Sequence, residues 1–219
     1  MVIKTDPPSR NSTRSRRAEK KQDKRERIRA AAWDLFTRQG YAATTTKQIA
    51  KHAGIASGTL FLYAKDKPDL LCMVFQERLQ RVSDAQLATI PRESCLLDQL
   101  LWVFRGVFDN YAEHQSLARE FIAVFPGSQG PNTDLLHGTT LAFLQGIAHL
   151  VMAAQRRGEV SEEVLPLQAA SNIFALYFGV LLQWLSGMLD FDHVLEPTLK
   201  SALDLQLRGF YPRGIISAT

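Results

Sequence analysis

The stretch TTTKQIAKHAGIASGTLFLYAKDKPDLL, residues 44–71, decides the fold of this 219-residue chain. It contains two short segments of helical pattern joined by a turn around Gly54, and the start of a further helix follows. Glycine adopts the positive φ that a tight turn between helices requires at no steric cost. Two helices packed across such a turn form a helix-turn-helix, which sets its second helix in the major groove of duplex DNA.

The ends of the predicted helices carry the residues that cap helices. Thr45 to Gln48 match the S/T-x-x-E/Q capping box, in which the two side chains satisfy each other's backbone N–H groups. Asp66 is positioned to cap the next helix, and Pro68 falls in its first turn, where a missing N–H is harmless. An amphipathic helix precedes the stretch, with apolar residues on one face and a terminating glycine: Ile28, Ala32, Leu35, Phe36 and Gly40.

Charge is distributed unevenly along the chain. Residues 1–63 contain 14 Lys and Arg against 5 Asp and Glu, a net charge of +9, whereas the remainder carries 12 against 17, a net charge of −5. A basic end attracts a polyanion such as DNA. Residues 1–20 are rich in Arg, Lys, Ser and Pro with few apolar residues, so we expect a disordered basic arm there.

Helical periodicity continues to the end of the chain, and no alternating run predicts a strand. The fold class is therefore all-α, with about nine helices. The later helices are predicted over residues 96–111, 116–125, 133–157, 162–187 and 194–210. Residues 126–131, PGSQGP, form a loop between two of them.

Several classes of protein are disfavoured by the sequence. The basic N-terminus lacks the apolar region of an export signal, and the longest apolar run, residues 173–182, is too short to span a membrane, so we expect a cytoplasmic location. Cys72 and Cys95 are most simply free thiols, with a redox-sensing pair as the alternative. Metal-ligand spacings, phosphate-binding loops and nucleophile elbows do not occur, so we expect no enzyme, metal or cofactor.

Residues 27–71 resemble the DNA-binding domain of the TetR (tetracycline-repressor) family of transcriptional regulators. The matching positions are residues 28–36, Gly40-Tyr41, Thr44-Thr45, Ile49-Ala50, Ala53-Gly54-Ile55, Gly58-Thr59-Leu60, Lys67 and Leu70-Leu71. The resemblance implies a homodimer whose C-terminal domain binds a small molecule that relieves repression. It divides the chain into the arm, a helix-turn-helix domain (residues 21–66, motif 45–64), a ligand-binding and dimerisation domain (67–211) and a tail (212–219).

The candidate DNA contacts follow from the position of each residue in the motif. The N-terminus of the second helix suits phosphate, and the front of the recognition helix faces base edges. Lys67 is included because of the family resemblance. The candidates are Thr45, Thr46, Lys47, Ser57, Gly58, Thr59, Phe61, Tyr63 and Lys67. Purely structural roles remain open for Thr45 as a cap, Gly58 as a turn residue and Phe61 as a core residue.

The family resemblance places a ligand pocket among the middle helices, where aromatic residues are frequent. Its candidate lining residues are Trp102, Phe108, Phe121, Phe125, Phe143 and Tyr177, which indicate an apolar or aromatic ligand. Arg105 interrupts an otherwise apolar helix, and a buried arginine needs a partner. Arg105 therefore either binds an acidic ligand or pairs with a carboxylate such as that of Glu120.

Dimerisation is expected through the last two helices, which would form a four-helix bundle with their symmetry mates. Small residues there permit close approach and leucines supply contacts; the candidates are Gly179, Leu181, Leu185, Ser186 and Leu199. Packing inside the subunit is the alternative for these residues.

The sequence thus predicts a sequence-specific DNA-binding regulator that a small molecule releases from a palindromic operator. Activation of transcription is an alternative to repression for such a regulator. The alternative is a helical module that binds small molecules or proteins without specific DNA recognition. Ala56 and Leu62 favour that alternative slightly, because the family commonly has a capping Ser or Thr at the first position and a polar residue at the second.

Overall fold

The structure is a computed structural model that describes residues 10–210, with side chains from Arg16 onward. Residues 1–9 of the predicted arm and the predicted tail, residues 212–219, lie outside the described residues. The described part is all-α, as predicted. Its helices are α1 (Arg10–Gln39), α2 (Thr46–His52), α3 (Ser57–Leu60), α4 (Lys67–Ala88), α5 (Leu96–Ala112), α6 (Gln115–Val124), α7 (Pro131–Arg156), α8 (Pro166–Leu185) and α9 (Lys200–Arg208).

The first helix is longer than the sequence predicts. Residues 10–20, expected to be disordered, form the N-terminal turns of α1 in the structure. The described side chains of this segment are exposed, so the helix is continued there by its backbone hydrogen bonds and not by a packed face. The buried face of α1 begins at Ile28, as the periodicity predicts, and the helix ends before Gly40, whose φ is +87°.

Helices α1 to α3 enclose a small core formed by Ile28, Phe36, Ile49 and Leu60. Each such side chain stabilises the fold by about 1.5–3 kcal/mol through removal from water. Helix α4 then leaves this bundle and continues into the C-terminal one. Its start matches the prediction, because the Asp66 side chain accepts a hydrogen bond from the backbone N–H of Asp69 at 2.8 Å and Pro68 lies in the first turn.

The C-terminal bundle is built around the aromatic residues of α4, α5, α6 and α8. The Phe75 and Phe121 rings stack with centroids 4.2 Å apart, and the Phe104 and Tyr177 rings stack at 4.7 Å. Helix α7 packs against both α4 and α8. It is also the one helix of residues 10–210 that is long and apolar enough to cross a membrane, a property that core helices share.

The last two helices differ from the predicted bounds at positions set by proline. Helix α8 begins at Pro166 and not at residue 162, since proline is suited to the first turn of a helix. A 3₁₀ turn (Phe191–His193) and a kinked segment containing Pro197 (Val194–Leu199), in which Glu196 is extended, precede α9. Pro197 lacks the N–H that a regular helix would use, so α9 starts at Lys200.

Candidate DNA-binding surface and ligand cavity

The capping box predicted at the start of α2 is present. The Thr45 Oγ1 accepts a hydrogen bond from the Gln48 backbone N–H at 3.3 Å, and the Gln48 Oε1 accepts one from the Thr45 backbone N–H at 2.7 Å. This box fixes where α2 begins and leaves Lys47 exposed on its outer face, with Thr46 partly exposed beside it. The first turn of α2 therefore presents hydroxyl groups and a cation to solvent, as a phosphate-binding surface requires.

The turn between α2 and α3 is held by a residue that sequence reasoning missed. Gly54 has a φ of +65°, as predicted for a tight turn. The Arg27 guanidinium on α1 donates to the carbonyl oxygen of Ala53 at 2.5 Å and to that of Gly54 at 3.1 Å. These carbonyls have no helical partner, so Arg27 satisfies the C-terminal end of α2 and ties the turn to α1.

The recognition helix α3 is a single turn followed by a turn of irregular structure. Its N-cap residue, Ala56, makes no side-chain capping bond, and the Thr59 N–H bonds to the Ala56 carbonyl at 2.9 Å. Leu60 is buried and anchors the helix, whereas Ser57 and Gly58 are exposed and Thr59 is partly exposed. Three predicted contact residues on α3 are thus accessible to solvent, as Lys47 is on α2.

The residues after α3 separate into exposed and buried positions. Phe61 is exposed, so the core role considered for it is wrong, and Leu62 is 78% exposed. Tyr63 is only 9% exposed and belongs to the core, which corrects its placement on the DNA-facing surface. The difference arises because the chain turns after α3, with the Tyr63 N–H bonded to the Leu60 carbonyl at 2.9 Å, so neighbouring side chains face different ways.

Lys67, predicted to contact phosphate, also makes contacts within the protein. Its ammonium donates to the Ala42 carbonyl at 3.2 Å and lies 4.3 Å from the centroid of the Tyr41 ring. Burial lowers the pKa of Lys67, while the nearby Glu120 carboxylate raises it. Lys67 therefore ties α4 to the loop between α1 and α2, a structural contact that the motif alone did not indicate.

A cavity lies within the C-terminal bundle, between α4, α5, α6, α7 and α8. The free space inside it measures about 60 Å³, less than most small-molecule sites hold, so a ligand would enter it as the surrounding helices move apart. None of its lining residues is charged. They are Leu79, Ser83, Val107, Tyr111, Phe121, Ile122, Phe125, Leu136, Thr139, Thr140, Phe143, Phe174, Tyr177 and Phe178.

Four predicted ligand residues, Phe121, Phe125, Phe143 and Tyr177, are brought together in this cavity. Three others are not. Phe108 is buried against the Tyr177 and Trp184 rings, and Trp102 is 41% exposed on the outer face of α5. Arg105 is exposed and lines a separate surface groove with Asp109, so it is not the buried arginine that was expected.

The Arg105–Glu120 pairing considered above is not formed either. The Glu120 carboxylate lies near the loop between α1 and α2. Burial raises the pKa of Tyr41 in that loop to about 12, and the Glu120 carboxylate contributes to the increase. Arg105 instead faces the solvent, in the groove that it shares with Asp109 and Phe191.

The cavity has polar groups that were not predicted. Ser83 on α4 and Thr139 and Thr140 on α7 place hydroxyls in its wall. The spacing of Leu136, Thr139, Thr140 and Phe143 is i, i+3, i+4 and i+7, a signal of one helical face that was available in the sequence. Threonine in an apolar pattern resembles a surface residue, so the aromatic pattern did not point to these hydroxyls.

Two tyrosines at the cavity remain protonated. Burial raises the pKa of Tyr177 well above its ordinary value, and the neighbouring Tyr111 raises it further. Burial likewise raises the pKa of Tyr111, while its hydrogen bond with Tyr177 opposes that shift. The lining consequently offers neutral hydroxyl groups and aromatic surface to a ligand, and no formal charge.

Three of the predicted dimer residues are part of the subunit core. Leu181, Leu185 and Leu199 are buried, which corrects their assignment to the interface. Ser186 is exposed at the end of α8 and Gly179 is partly exposed. Exposed apolar residues on α8 and α9 include Leu182 at 44% and Leu205 at 73%, neither of which was among the candidates.

Groups of three or more metal-ligating side chains do not occur within residues 10–210 as far as these are described. Cys72 is buried and Cys95 exposed, and both are free thiols. The candidate sites within residues 10–210 are the exposed face of α2 and α3 and the apolar cavity.

This chain is similar to known transcriptional regulators along most of its length. The family model described as "Bacterial regulatory proteins, tetR family" matches residues 28–72. The fatty acid metabolism regulator protein of Bacillus subtilis (strain 168) is 24% identical over 83% of this chain and 92% of its own length. The HTH-type transcriptional repressor BepR of Brucella suis biovar 1 (strain 1330) is 27% identical over 78% of this chain and 85% of its own.

A solved structure gives the same fold. The FadR protein of Thermus thermophilus, a TetR-family transcriptional repressor in complex with lauroyl-CoA, aligns with a TM-score of 0.69 at 23% identity. The alignment covers 89% of this chain and 99% of that one. Likeness at this identity establishes the fold, and the matched family model covers the helix-turn-helix and the start of α4.

Proposed function

The chain belongs to the TetR family of transcriptional regulators, and we propose that it represses transcription from a palindromic operator until a small molecule releases it. The family consists of transcriptional regulators and not enzymes. One observation carries the proposal. Helix α4 begins at the helix-turn-helix, where Lys67 contacts Ala42, and about three to four turns later it supplies Leu79 and Ser83 to the cavity wall.

The continuity of α4 gives a physical route for regulation. A ligand that binds the cavity better in one arrangement of the bundle shifts the population toward that arrangement. If the recognition helices are spaced differently in that arrangement, DNA affinity falls by the ratio of the two ligand affinities. We propose α4 as the hinge, since its two ends take part in the two sites.

The lining of the cavity supports an apolar or aromatic ligand, or the apolar part of a larger one. Its surface is mostly Phe, Leu and Ile. Among the hydroxyls of its wall, that of Thr139 is bonded to Gln76 and Gln80, whereas Ser83 and the acceptor side of Thr140 can orient a polar group. The related Thermus thermophilus FadR was solved with lauroyl-CoA, whose acyl chain has the chemistry that such a lining accepts. Lauroyl-CoA is therefore a rational first probe for this protein.

We propose a homodimer formed by α8 and α9. Leu167, Leu182 and Leu205 are exposed on these helices, and Gly179 and Ser186 permit close approach between subunits. Burying this face against a second copy would form a four-helix bundle and present two recognition helices to successive major grooves. We place the dimer in the cytoplasm with its operator DNA.

The proposed function can be tested with purified full-length protein. Selection of bound duplexes from a random pool should yield a palindrome, and a fragment from the gene's own upstream region should be bound in a gel shift. If six to eight phosphates are neutralised, the logarithm of affinity should fall with that of salt concentration with a slope of about −5 to −7. Failure to bind any duplex at moderate salt would refute the proposal and favour the DNA-independent alternative.

A further inference from the structure

Asp69, in the first turn of α4, is fully buried, and its carboxylate accepts five hydrogen bonds. The Oδ1 atom accepts from the backbone N–H groups of Asn132 and Thr133, both at 3.0 Å, and from the Thr133 hydroxyl at 3.1 Å. The Oδ2 atom accepts from the Lys65 backbone N–H at 3.0 Å and from the Asn132 Nδ2 at 2.9 Å. Asp69 thus joins the N-terminus of α7 to the segment that follows the recognition helix.

Asn132 strengthens this connection from the other side. Its Nδ2 also donates to the carbonyl oxygen of Tyr63 at 2.9 Å. Tyr63 and Lys65 lie directly after α3, so the chain leaving the recognition helix is bonded to α7 both directly and through Asp69. The free N–H groups of a helix N-terminus suit a carboxylate, and here they have one from a different helix.

The residue before α7 packs tightly against Asp69. Gly130 precedes α7 with a φ of +148°, and a Cβ on that residue would lie 2.5 Å from the Asp69 Cγ. A buried carboxylate that loses its donors is strongly unfavourable. The start of α7, Asp69 and the Tyr63–Lys65 segment are therefore expected to move together.

The same helix lines the cavity. Leu136, Thr139 and Thr140 follow Thr133 on α7 by one to two turns and belong to the cavity wall. Thr139 is also bonded to α4, accepting from the Gln76 Nε2 at 3.0 Å and donating to the Gln80 Oε1 at 3.3 Å. A molecule in the cavity would therefore contact α7 close to its N-terminus, which is hydrogen-bonded to Asp69.

We propose that Asp69 is a positioning residue: through the N-terminus of α7, it couples ligand binding in the cavity to the position of the recognition helix. This inference rests on the proposed function and adds a second connection to the one through α4. It predicts that the coupling between ligand and DNA depends on the Asp69 carboxylate, while the affinity of the cavity for its ligand does not.

The Asp69→Asn substitution can separate the two halves of this network. The amide oxygen can stay on the Oδ1 side, where it keeps three donors on α7, namely the Asn132 and Thr133 N–H groups and the Thr133 hydroxyl. The amide NH₂ would face the Lys65 N–H and the Asn132 Nδ2, which are donors, so the Lys65 bond to the recognition-helix side is lost together with one bond from α7. Asp66→Ala is the matched control, because Asp66 caps the same helix through the Asp69 N–H and no hydrogen bond links its side chain to α7 within residues 10–210.

The first measurement is the affinity for the selected operator duplex, by fluorescence anisotropy, with and without lauroyl-CoA. The wild type and Asp66→Ala should lose DNA affinity about tenfold or more on adding the probe, and Asp69→Asn should lose less than about threefold. The affinity of each protein for lauroyl-CoA should agree within about twofold. Wild-type coupling in Asp69→Asn, or equal loss of coupling in Asp66→Ala, would overturn the proposal.

The second measurement needs no DNA, so it distinguishes failure of this inference from failure of the proposed function. Amide hydrogen exchange at Lys65 is followed in the full chain, with the cavity filled either by lauroyl-CoA or by the substitution Ser83→Leu. Filling should change the Lys65 exchange rate in the wild type and leave it unchanged in Asp69→Asn. If neither way of filling the cavity changes Lys65 exchange in the wild type, the proposal is wrong, whatever the DNA result.

Discussion

Replacing Gly54 by alanine should destabilise the protein by an amount that the structure allows us to divide in two. Gly54 has a φ of +65°, where an L side chain is strained, and an added Cβ would lie 2.7 Å from the Arg27 Nη2. The guanidinium must then move away from the carbonyls of Ala53 and Gly54, which it now contacts at 2.5 and 3.1 Å. Strain and the loss of these hydrogen bonds are separate costs.

The two costs are of similar size. A left-handed backbone conformation costs a residue with a Cβ about 1–2 kcal/mol. A hydrogen bond to a charged group contributes about 1.5–3 kcal/mol when buried. The Arg27 side chain is 45% exposed, so water replaces part of this and about 1 kcal/mol is a better figure. The free energy of unfolding should therefore fall by about 2–3 kcal/mol in Gly54→Ala.

Urea unfolding followed by circular dichroism measures this change, provided that the m-value is unaltered. Two other glycines supply the controls. Gly40 has a φ of +87° with no atom within 4 Å of an added Cβ, so Gly40→Ala should show the strain alone, about 1–2 kcal/mol. Gly58 has neither strain nor a neighbour, and Gly58→Ala should be neutral or stabilising by up to about 1 kcal/mol. If Gly54→Ala costs no more than Gly40→Ala, the role assigned to Arg27 is wrong.

Three further predictions follow from the sites. Lys47→Ala should weaken binding to all duplexes alike and reduce the slope of log affinity against log salt concentration by about 1 per contact. Lys67→Ala should also lower the free energy of unfolding by about 1 kcal/mol, because Lys67 contacts Ala42. Aspartate at both Leu182 and Leu205 should convert dimers to monomers in light scattering. Tyr41, with a pKa raised from 10.0 to about 12, should stabilise the fold fully below pH 10 and lose that contribution as the pH rises through about 12, measured by phenolate absorbance and unfolding.

Each of these predictions has a result that contradicts it. Lys67→Ala with unchanged stability would return Lys67 to the role of a simple phosphate contact. The control is aspartate at exposed Leu62, which should leave the dimer intact. If the variant with aspartate at Leu182 and Leu205 also stays dimeric, the interface lies elsewhere. A Tyr41→Phe variant whose stability falls in the same way between pH 10 and 12 would assign the alkaline transition to another group.

The ends of the helices were predictable because capping is local. The Thr45–Gln48 box, the Asp66 cap and the glycine at position 54 act within about four residues of chain, and the structure confirms each of them. The family resemblance had the same origin, since it rested on the motif that these residues define. Arg27 shows the limit of this reasoning, because its partners lie 26 and 27 residues away.

The candidate sites could be predicted only in part. Aromatic content pointed to four residues that line the cavity, but it also selected Trp102 on the surface and Phe108 in the core. A hydrophobic pattern identifies residues that avoid water, and it does not distinguish a packed core from a cavity wall or from an interface between subunits. Polar side chains in a cavity wall give no hydrophobic signal, so the hydroxyls of Ser83, Thr139 and Thr140 were not predicted.

The sequence by itself determined an all-α chain with a helix-turn-helix, a basic end for DNA and a C-terminal bundle, because periodicity, capping and charge are properties of neighbouring residues. The tertiary structure alone decided which side of each helix faces the core, the cavity or the solvent. Leu181 and Leu182 differ by one position and hence by about 100° around α8, so one is buried and the other is exposed. The role of Asp69 depends on tertiary structure in the same way. Its sequence position indicates a helix start, and only packing against α7, 63 residues later, makes it a junction between the two sites.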